Sequence, residues 1–303
     1  MAHVCHAKRI PLRQTNNTGA NKMNVNEIHF GVEFETTMPT NDTTRIGSYH
    51  AGCQVDWLPT GWKAERDSSI RCTPKRKACE FVSPKLKGSE GLQQVADSLE
   101  QIRTRGAKVN ETCGLHVTLE WKGDASALAR LISLVGNHEK ALYASTGTKR
   151  RERVIYTKPI KPYGNSNHAK LKCDSDRYHI LNLTHLARGQ NRIEFRVFAG
   201  TLNTTKVLGY IQMCLGLVEL ALSSKRCSDW NYTKTEGKRS CWDRPGAGDG
   251  ETELNRLFYR LGWTKGWYKG ELKDKRYGEI AGSDWKAIKA KLMELARKYD
   301  QAA

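Results

Sequence analysis

The chain has 303 residues, 50 of them Lys or Arg and 32 Asp or Glu, for a formal net charge of +18. Its 38% hydrophobic and 8% aromatic content suffices for a buried core and argues against wholesale disorder, which needs low hydrophobicity with high charge. No apolar run reaches the roughly 18 residues of a membrane span; the longest, Val207 to Leu222, carries Gln212 and Glu219.

Residues 1–24 are polar and Asn/Thr-rich, which predicts a flexible N-terminal tail. Structure should begin near Ile28, where Ile28, Phe30, Val32 and Phe34 alternate with His29, Gly31, Glu33 and Glu35. Period two predicts a strand with one apolar face. Two further extended runs follow, Trp62 to Ile70 and Ala78 to Val82, the second stopped by Ser83-Pro84. Leu92, Val95, Ala96, Leu99 and Ile102 fall at helical spacing, with Ser89 as the expected N-cap and Gly106 just past the end. TCGLHVTLEW reads as another alternating strand, and Asp124 as the cap of a long helix running through Leu142.

Residues 140–172 carry nine Lys/Arg against Glu152 alone, which predicts an exposed basic insertion at about 145–175. Two strands, Tyr178 to Leu183 and Arg192 to Phe198, precede an apolar helix from Thr204 to Leu222. After Cys227 the composition shifts to tryptophans among Lys, Arg and Gly, with RPGAGDG as a link and a last helix from Ser283-Asp284 to Tyr299. The predicted organisation is a tail (1–24), a catalytic-sized domain (25–225) and a basic, aromatic-rich C-terminal extension (226–303). Consecutive strands on short links pair antiparallel, because parallel neighbours need long crossovers. The fold class is therefore α+β: a largely antiparallel sheet of about six strands with helices on one face.

Four strands share one design. Glu33 and Glu35 lie about 7 Å apart on one strand face. Glu80 in CEFVSP, His116 in CGLHVTL, and Glu194 with Arg196 in RIEFRVF likewise stand opposite apolar neighbours. So many carboxylates cannot be buried without partners. Hard dications such as Mg²⁺ or Mn²⁺ suit them, with one imidazole tolerated. Cys113 is a rival nucleophile beside His116, but three residues apart on a strand they face opposite sides. His3, Cys5 and His6, or His50 and Cys53, lack paired zinc-ligand spacing. There is no Walker A sequence and no G-x-S-x-G elbow.

In this order, GVEFE, RDSSI, CEFVSP, CGLHV, YHILN and RIEFRVFAGTLN resemble the bacterial and phage amidoligase family. That family belongs to the glutamine synthetase and glutamate–cysteine ligase group of carboxylate–amine ligases. The resemblance spans about residues 28–222. It implies a curved antiparallel sheet holding ATP and two or three divalent metals, with an amide formed through an acyl phosphate on an amino acid, peptide or peptide-like group. It assigns Glu33, Glu35, Glu80, His116 and Glu194 to metal, and Arg196 to the ATP phosphates. His116, Ser69 and Asn182 join the nucleotide contacts. Asp67 lines the acceptor side as the candidate base, Arg66 is an extra cation beside it, and Glu65 is the candidate for a further metal glutamate.

The charge surplus asks for an anionic partner. Trp267, Tyr268 and Tyr277 interleave with Lys and Arg, a pattern able to stack bases and contact phosphates. The alternative function is thus a nucleic-acid-binding protein on an amidoligase scaffold, or a ligase acting on a nucleic-acid- or protein-linked group. The nine cysteines include no C-x-x-C pair and no apolar leader precedes them, so reduced thiols and a cytoplasmic location are expected.

Overall fold

Alternation builds the first strand. In the computed structural model, which describes residues 27–224, 249–263 and 285–302, β1 runs His29–Pro39, with Phe30, Val32 and Phe34 buried beneath it. The other strands are β2 (Cys53–Gln54), β3 (Lys63–Glu65), β4 (Arg76–Val82), β5 (Leu86–Lys87), β6 (Gly114–Glu120), β7 (Leu181–Asn182) and β8 (Arg192–Ala199). They form one eight-stranded sheet in the order β2-β3-β4-β1-β6-β8-β7, with β5 also on β1. Every ladder between these strands is antiparallel. The architecture is the expected α+β one, and three of its strands are only two residues long.

The apolar face is covered by helices with legible ends. α1 (Gly88–Thr104) buries Leu92, Val95, Leu99 and Ile102. It stops at Gly106, whose φ of +79° favours glycine. α2 (Ala125–Asn137) starts where the Asp124 carboxylate accepts from the Ala127 N–H at 2.7 Å, a cap worth about 1 kcal/mol. α7 (Thr204–Ser223) is capped by Asn203, which accepts from Lys206 N at 3.0 Å. By length and mean hydropathy alone α7 could cross a membrane, but 83% of that stretch is buried inside the protein. It is the central core helix.

Several expected boundaries move, each for a local reason. The extended run from Trp62 shortens to Lys63–Glu65, because the Asp67 carboxylate accepts from the Ser69 N–H at 2.7 Å and turns the chain. The run from Tyr178 shortens to Leu181–Asn182, because Asp176 accepts from the Tyr178 N–H at 2.9 Å and Asn182 turns the chain onto Thr184. The long helix after Asp124 breaks at His138, and α3 (Glu139–Ala144) continues separately. α1 begins one residue before Ser89, with Lys87 at the cap position.

The basic insertion is not an exposed loop. It folds into α4 (Arg150–Arg153), two short 3₁₀ turns and α5 (Ser166–Ser175). Ile160, Ala169 and Cys173 enter the core, and Arg151 is buried. The four-residue α6 (Thr184–Ala187) follows β7. In the C-terminal region, α8 (Gly250–Leu261) and α9 (Trp285–Gln301) pack on α3 and α7. Leu254, Leu257, Phe258, Leu292 and Ala296 join the same hydrophobic core. Trp267, Tyr268, Tyr277, His3, Cys5 and His6 lie outside the described residues.

Candidate active site

The sheet register carries the carboxylates into one row. Glu65 on β3 is opposite Glu80 on β4, and Glu80 is opposite Glu35 on β1. Glu33, two residues before Glu35, is opposite His116 on β6. Directly opposed residues have Cβ atoms about 5 Å apart, so antiparallel pairing alone collects four acids and one imidazole. On the next strand, Glu194 of β8 is opposite Thr118 and Asn182.

His116 stands between three acids. Its Nδ1 is 3.0 Å from Glu33 Oε2 and 3.5 Å from Glu194 Oε1, and its Nε2 is 3.3 Å from Glu35 Oε1. Glu35 is also held by the Gly114 N–H at 2.5 Å. A Cβ at Gly114 would lie 3.2 Å from His116 Nε2, 3.3 Å from Glu35 Oε2 and 3.4 Å from Arg151 Nη2. Glycine is therefore needed where these three groups converge.

Glu194 and Glu80 have opposite electrostatics. Burial alone would raise the Glu194 carboxyl, but Arg196, His116 and the Asn182 hydrogen bond hold it down at about 2. Arg196 Nη1 lies 2.6 Å from Glu194 Oε1, and Asn182 Nδ2 donates to the other oxygen at 2.6 Å. Glu80 is pushed up to about 10, by burial first and then by Glu33, Glu35, Asp67 and Glu65.

Such a cluster has the donor set of a hard-cation site. Ligand atoms of Glu33, Glu80 and His116 lie within 4.8 Å of one another, as do those of Glu35, Asp67 and Glu80. Glu80 belongs to both groups, so its carboxylate would serve an ion held by either. Oxygen donors with a single imidazole suit Mg²⁺ or Mn²⁺. The residues present therefore fit divalent metal. Glu194 lies outside both groups, its two oxygens engaged by Arg196 and Asn182.

β6 and β8 pair with a register shift between Leu115 and Val117, so two residues of β8, Arg196 and Val197, face His116. Bulges of this kind re-aim side chains beside active sites. The two bulge carbonyls accept from Arg151, Arg196 O from Nη2 at 2.7 Å and Val197 O from Nε at 3.2 Å.

The cleft over this face has two lobes. The larger, about 570 Å³, holds Glu33, Glu65, Glu80, Asn182 and Glu194 together with Lys63, Arg188 and Arg192. The smaller, about 390 Å³, holds Glu35, Ser69, Thr112, Arg151 and Tyr156. Asp67, His116, Arg177 and Arg196 line both. A further cavity of about 490 Å³, floored by Gly31, meets the larger lobe at Glu33 and Arg192.

Nine of the ten predicted site residues thus line the two lobes, along with Glu65. The exception, Arg66, is exposed and lines a different cavity with Ile46, Ile70 and Lys77. Arg151 and Arg177 were not predicted; the only signal for Arg151 was the basic run that reads as a solvated insertion. Cys113 is buried, and burial raises its thiol to about 11, which does not suit a nucleophile. His50 is exposed, with Nδ1 3.9 Å from Glu65 Oε1.

The family model described as a putative amidoligase enzyme matches residues 26–164 and 161–218. A crystal structure of the complex between the prokaryotic ubiquitin-like protein Pup and its ligase PafA aligns with 90% of this chain at 10% identity and a TM-score of 0.45. The chain spans 64% of the length of that structure's chain. No curated protein matches.

Proposed function

Because the chain belongs to the amidoligase family, a family of carboxylate–amine ligases, we propose that it joins a carboxylate to an amine at the expense of ATP, through an acyl phosphate. The observation that carries this reading is the convergence of Glu33, Glu35, Glu80 and His116 with Arg196 on one sheet face.

The chemistry sets the requirements. A carboxylate is a poor electrophile, and an anionic nucleophile must approach a polyanionic triphosphate. Glu33, Glu35, Glu80 and His116 would hold Mg²⁺ or Mn²⁺, which when bound neutralises phosphate charge and polarises the phosphoryl oxygens. Arg196 adds a planar fork of donors, fixed in direction by Glu194. Lys63, Arg188 and Arg192 give the larger lobe the cations a triphosphate needs.

In the first step a donor carboxylate oxygen bonds to the γ-phosphorus and the bridging P–O bond breaks, releasing ADP. In the second, the amine nitrogen bonds to the acyl carbon, the acyl C–O bond breaks and phosphate leaves. The amine must shed a proton, and Asp67, on the wall common to both lobes, is the carboxylate we assign to accept it. A cytoplasmic location and an amino acid, peptide or peptide-like substrate belong to the same reading.

The test is a mass-spectrometric screen with ATP, Mg²⁺ and pooled amino acids, polyamines and peptides. A product equal to two substrates minus water, formed one-for-one with ADP, supports the proposal. ADP release without any condensed product, with every pool tried, would count against it.

A further inference from the structure

The register shift between β6 and β8 leaves Arg196 and Val197 together opposite His116. A bulge takes its residues out of the regular ladder, so their buried carbonyls need donors from elsewhere. One side chain supplies both. Arg151 donates from Nη2 to Arg196 O at 2.7 Å and from Nε to Val197 O at 3.2 Å. The Arg196 N–H is taken up on the other side, by Ile180 O at 2.9 Å. The backbone of Arg196 is therefore fixed at both of its polar groups, one of them by a residue 45 positions away in the chain.

Arg151 is itself held in place. It is 6% exposed, and its own carbonyl accepts from Thr157 Oγ1. The Thr157 carbonyl in turn accepts from the Tyr143 hydroxyl of α3 at 2.6 Å, and the neighbouring Glu152 accepts from Tyr299 of the last helix. Two packed helices thus anchor the segment that carries this planar fork to β8.

Arg196 depends on that backbone. Its side chain donates from Nη1 to Glu194 Oε1 at 2.6 Å, while its Nε is buried with no hydrogen-bond partner. A bond at one corner anchors a guanidinium without fixing its plane. The plane then follows the side-chain rotamer, which the backbone dihedrals select.

We propose that Arg151 is a positioning residue for Arg196: by binding the Arg196 and Val197 carbonyls it fixes the bulge, and with it the direction in which the Arg196 guanidinium meets its ligand. Arg151 acts through the backbone of β8 and not by touching a substrate. A fork is needed there, because an ammonium is a single point of charge and cannot serve both carbonyls from the Nε and Nη2 directions. The phosphate-holding role of Arg196 rests on the ligase reading; the link between the two arginines does not.

The test uses two readouts on the full chain. The first is NMR of the arginine Nε–H groups in the protein alone, with the Arg196 signal identified by its loss in Arg196→Lys. Arg151→Gln and Arg151→Lys are each expected to shift or broaden that signal. The second is calorimetry with Mg²⁺ and a non-hydrolysable ATP analogue in a double-mutant cycle. Arg151→Gln and Arg196→Lys should each weaken analogue binding at least about tenfold, the scale of one hydrogen bond to a charged group. The double variant should bind no more than about twofold worse than the weaker single variant, far short of the product of the two losses. Arg151→Lys, which keeps the charge and one donor, carries both readouts if Arg151→Gln does not fold. An unmoved Arg196 signal in the folded variants overturns the proposal. So do losses that multiply in the double variant, which would make Arg151 a ligand contact in its own right. A lowered melting temperature with analogue binding unchanged also overturns it, leaving Arg151 a residue of the fold alone. Wild-type protein that does not bind the analogue would count against the ligase reading, and the NMR readout would still decide the link between the arginines.

Discussion

Tyr299, in the last helix, donates its hydroxyl to Glu152, the neighbour of Arg151. The chain's C-terminal segment is thereby tied to the residue that enters the smaller lobe from α4. Around this contact Leu295 lies against Gly147, and Lys149 Nζ lies 6.0 Å from the Tyr299 ring centre. Helix α9 lies beyond the residues matched by the family model, yet it braces part of the site. Tyr299→Phe removes one hydrogen bond to a charged group, about 1.5–3 kcal/mol. Denaturant unfolding should show that loss, and ADP formation by the folded fraction should fall with it.

Glu80→Gln separates stability from function. It removes a buried carboxyl crowded by four other acids and also the carboxylate common to both metal-type groups. Metal-free protein should melt at the same or a higher temperature than wild type. ADP formation should fall by at least about 10²-fold, the scale of losing one charge-stabilising group. A Glu80→Gln enzyme with wild-type turnover would refute a role for Glu80 in holding metal.

The same carboxyl sets a pH dependence. Its pKa is raised from 4.5 to about 10, by burial and then by its acidic neighbours. A raised folded-state pKa means a stability contribution that is fully present below 4.5 and is lost as pH rises through about 10. Metal-free protein should therefore lose stability from mildly acid to alkaline pH, and Mg²⁺ or Mn²⁺ should reverse the trend. At neutral pH, metal binding must expel the Glu80 proton. Calorimetry in two buffers of different ionisation enthalpy should detect a net release.

Arg196 and Glu194 are a buried pair, so removing one partner leaves the other uncompensated. Arg196→Ala is expected to cost about 3–5 kcal/mol and to abolish turnover. Arg196→Met combined with Glu194→Gln should recover much of the stability without activity, a result that urea melts and the ADP assay can separate. Glu194, held at about 2, adds stability that is present above its ordinary pKa and is lost as pH falls through about 2.

Gly114→Ala tests the crowding beneath His116. The added methyl would press on His116 Nε2, Glu35 Oε2 and Arg151 Nη2 at 3.2–3.4 Å. Activity should fall with only a small shift in melting temperature, because what moves are polar side-chain ends and not core packing. A large drop in melting temperature with kinetics unchanged in the folded fraction would mean that Gly114 serves the fold alone.

Much of the site was legible because a strand's period of two needs no tertiary information. Glu33, Glu35, Glu80, His116, Glu194 and Arg196 each stand opposite an apolar neighbour that must point to the core. Glu65 was harder to place, since its inclusion depends on β3 pairing with β4 in the one register that sets it opposite Glu80. Arg151 was illegible, because a stretch with nine Lys/Arg against one acid looks like a solvated surface until the chain is seen to fold back onto β8.

By itself the amino-acid order determined which side chains share a strand face, where several helices are capped, and that one sheet face carries acids, an imidazole and an arginine. Those properties follow from local geometry and from the cost of wetting apolar groups. Only the tertiary structure decided which acids touch, that Glu80 stands in two ligand groups, and that a register shift sets two residues of β8 opposite His116. It also decided that a charged insertion supplies a buried arginine. Cross-strand register and long-range packing are set by contacts between residues far apart in the chain, which no local pattern encodes.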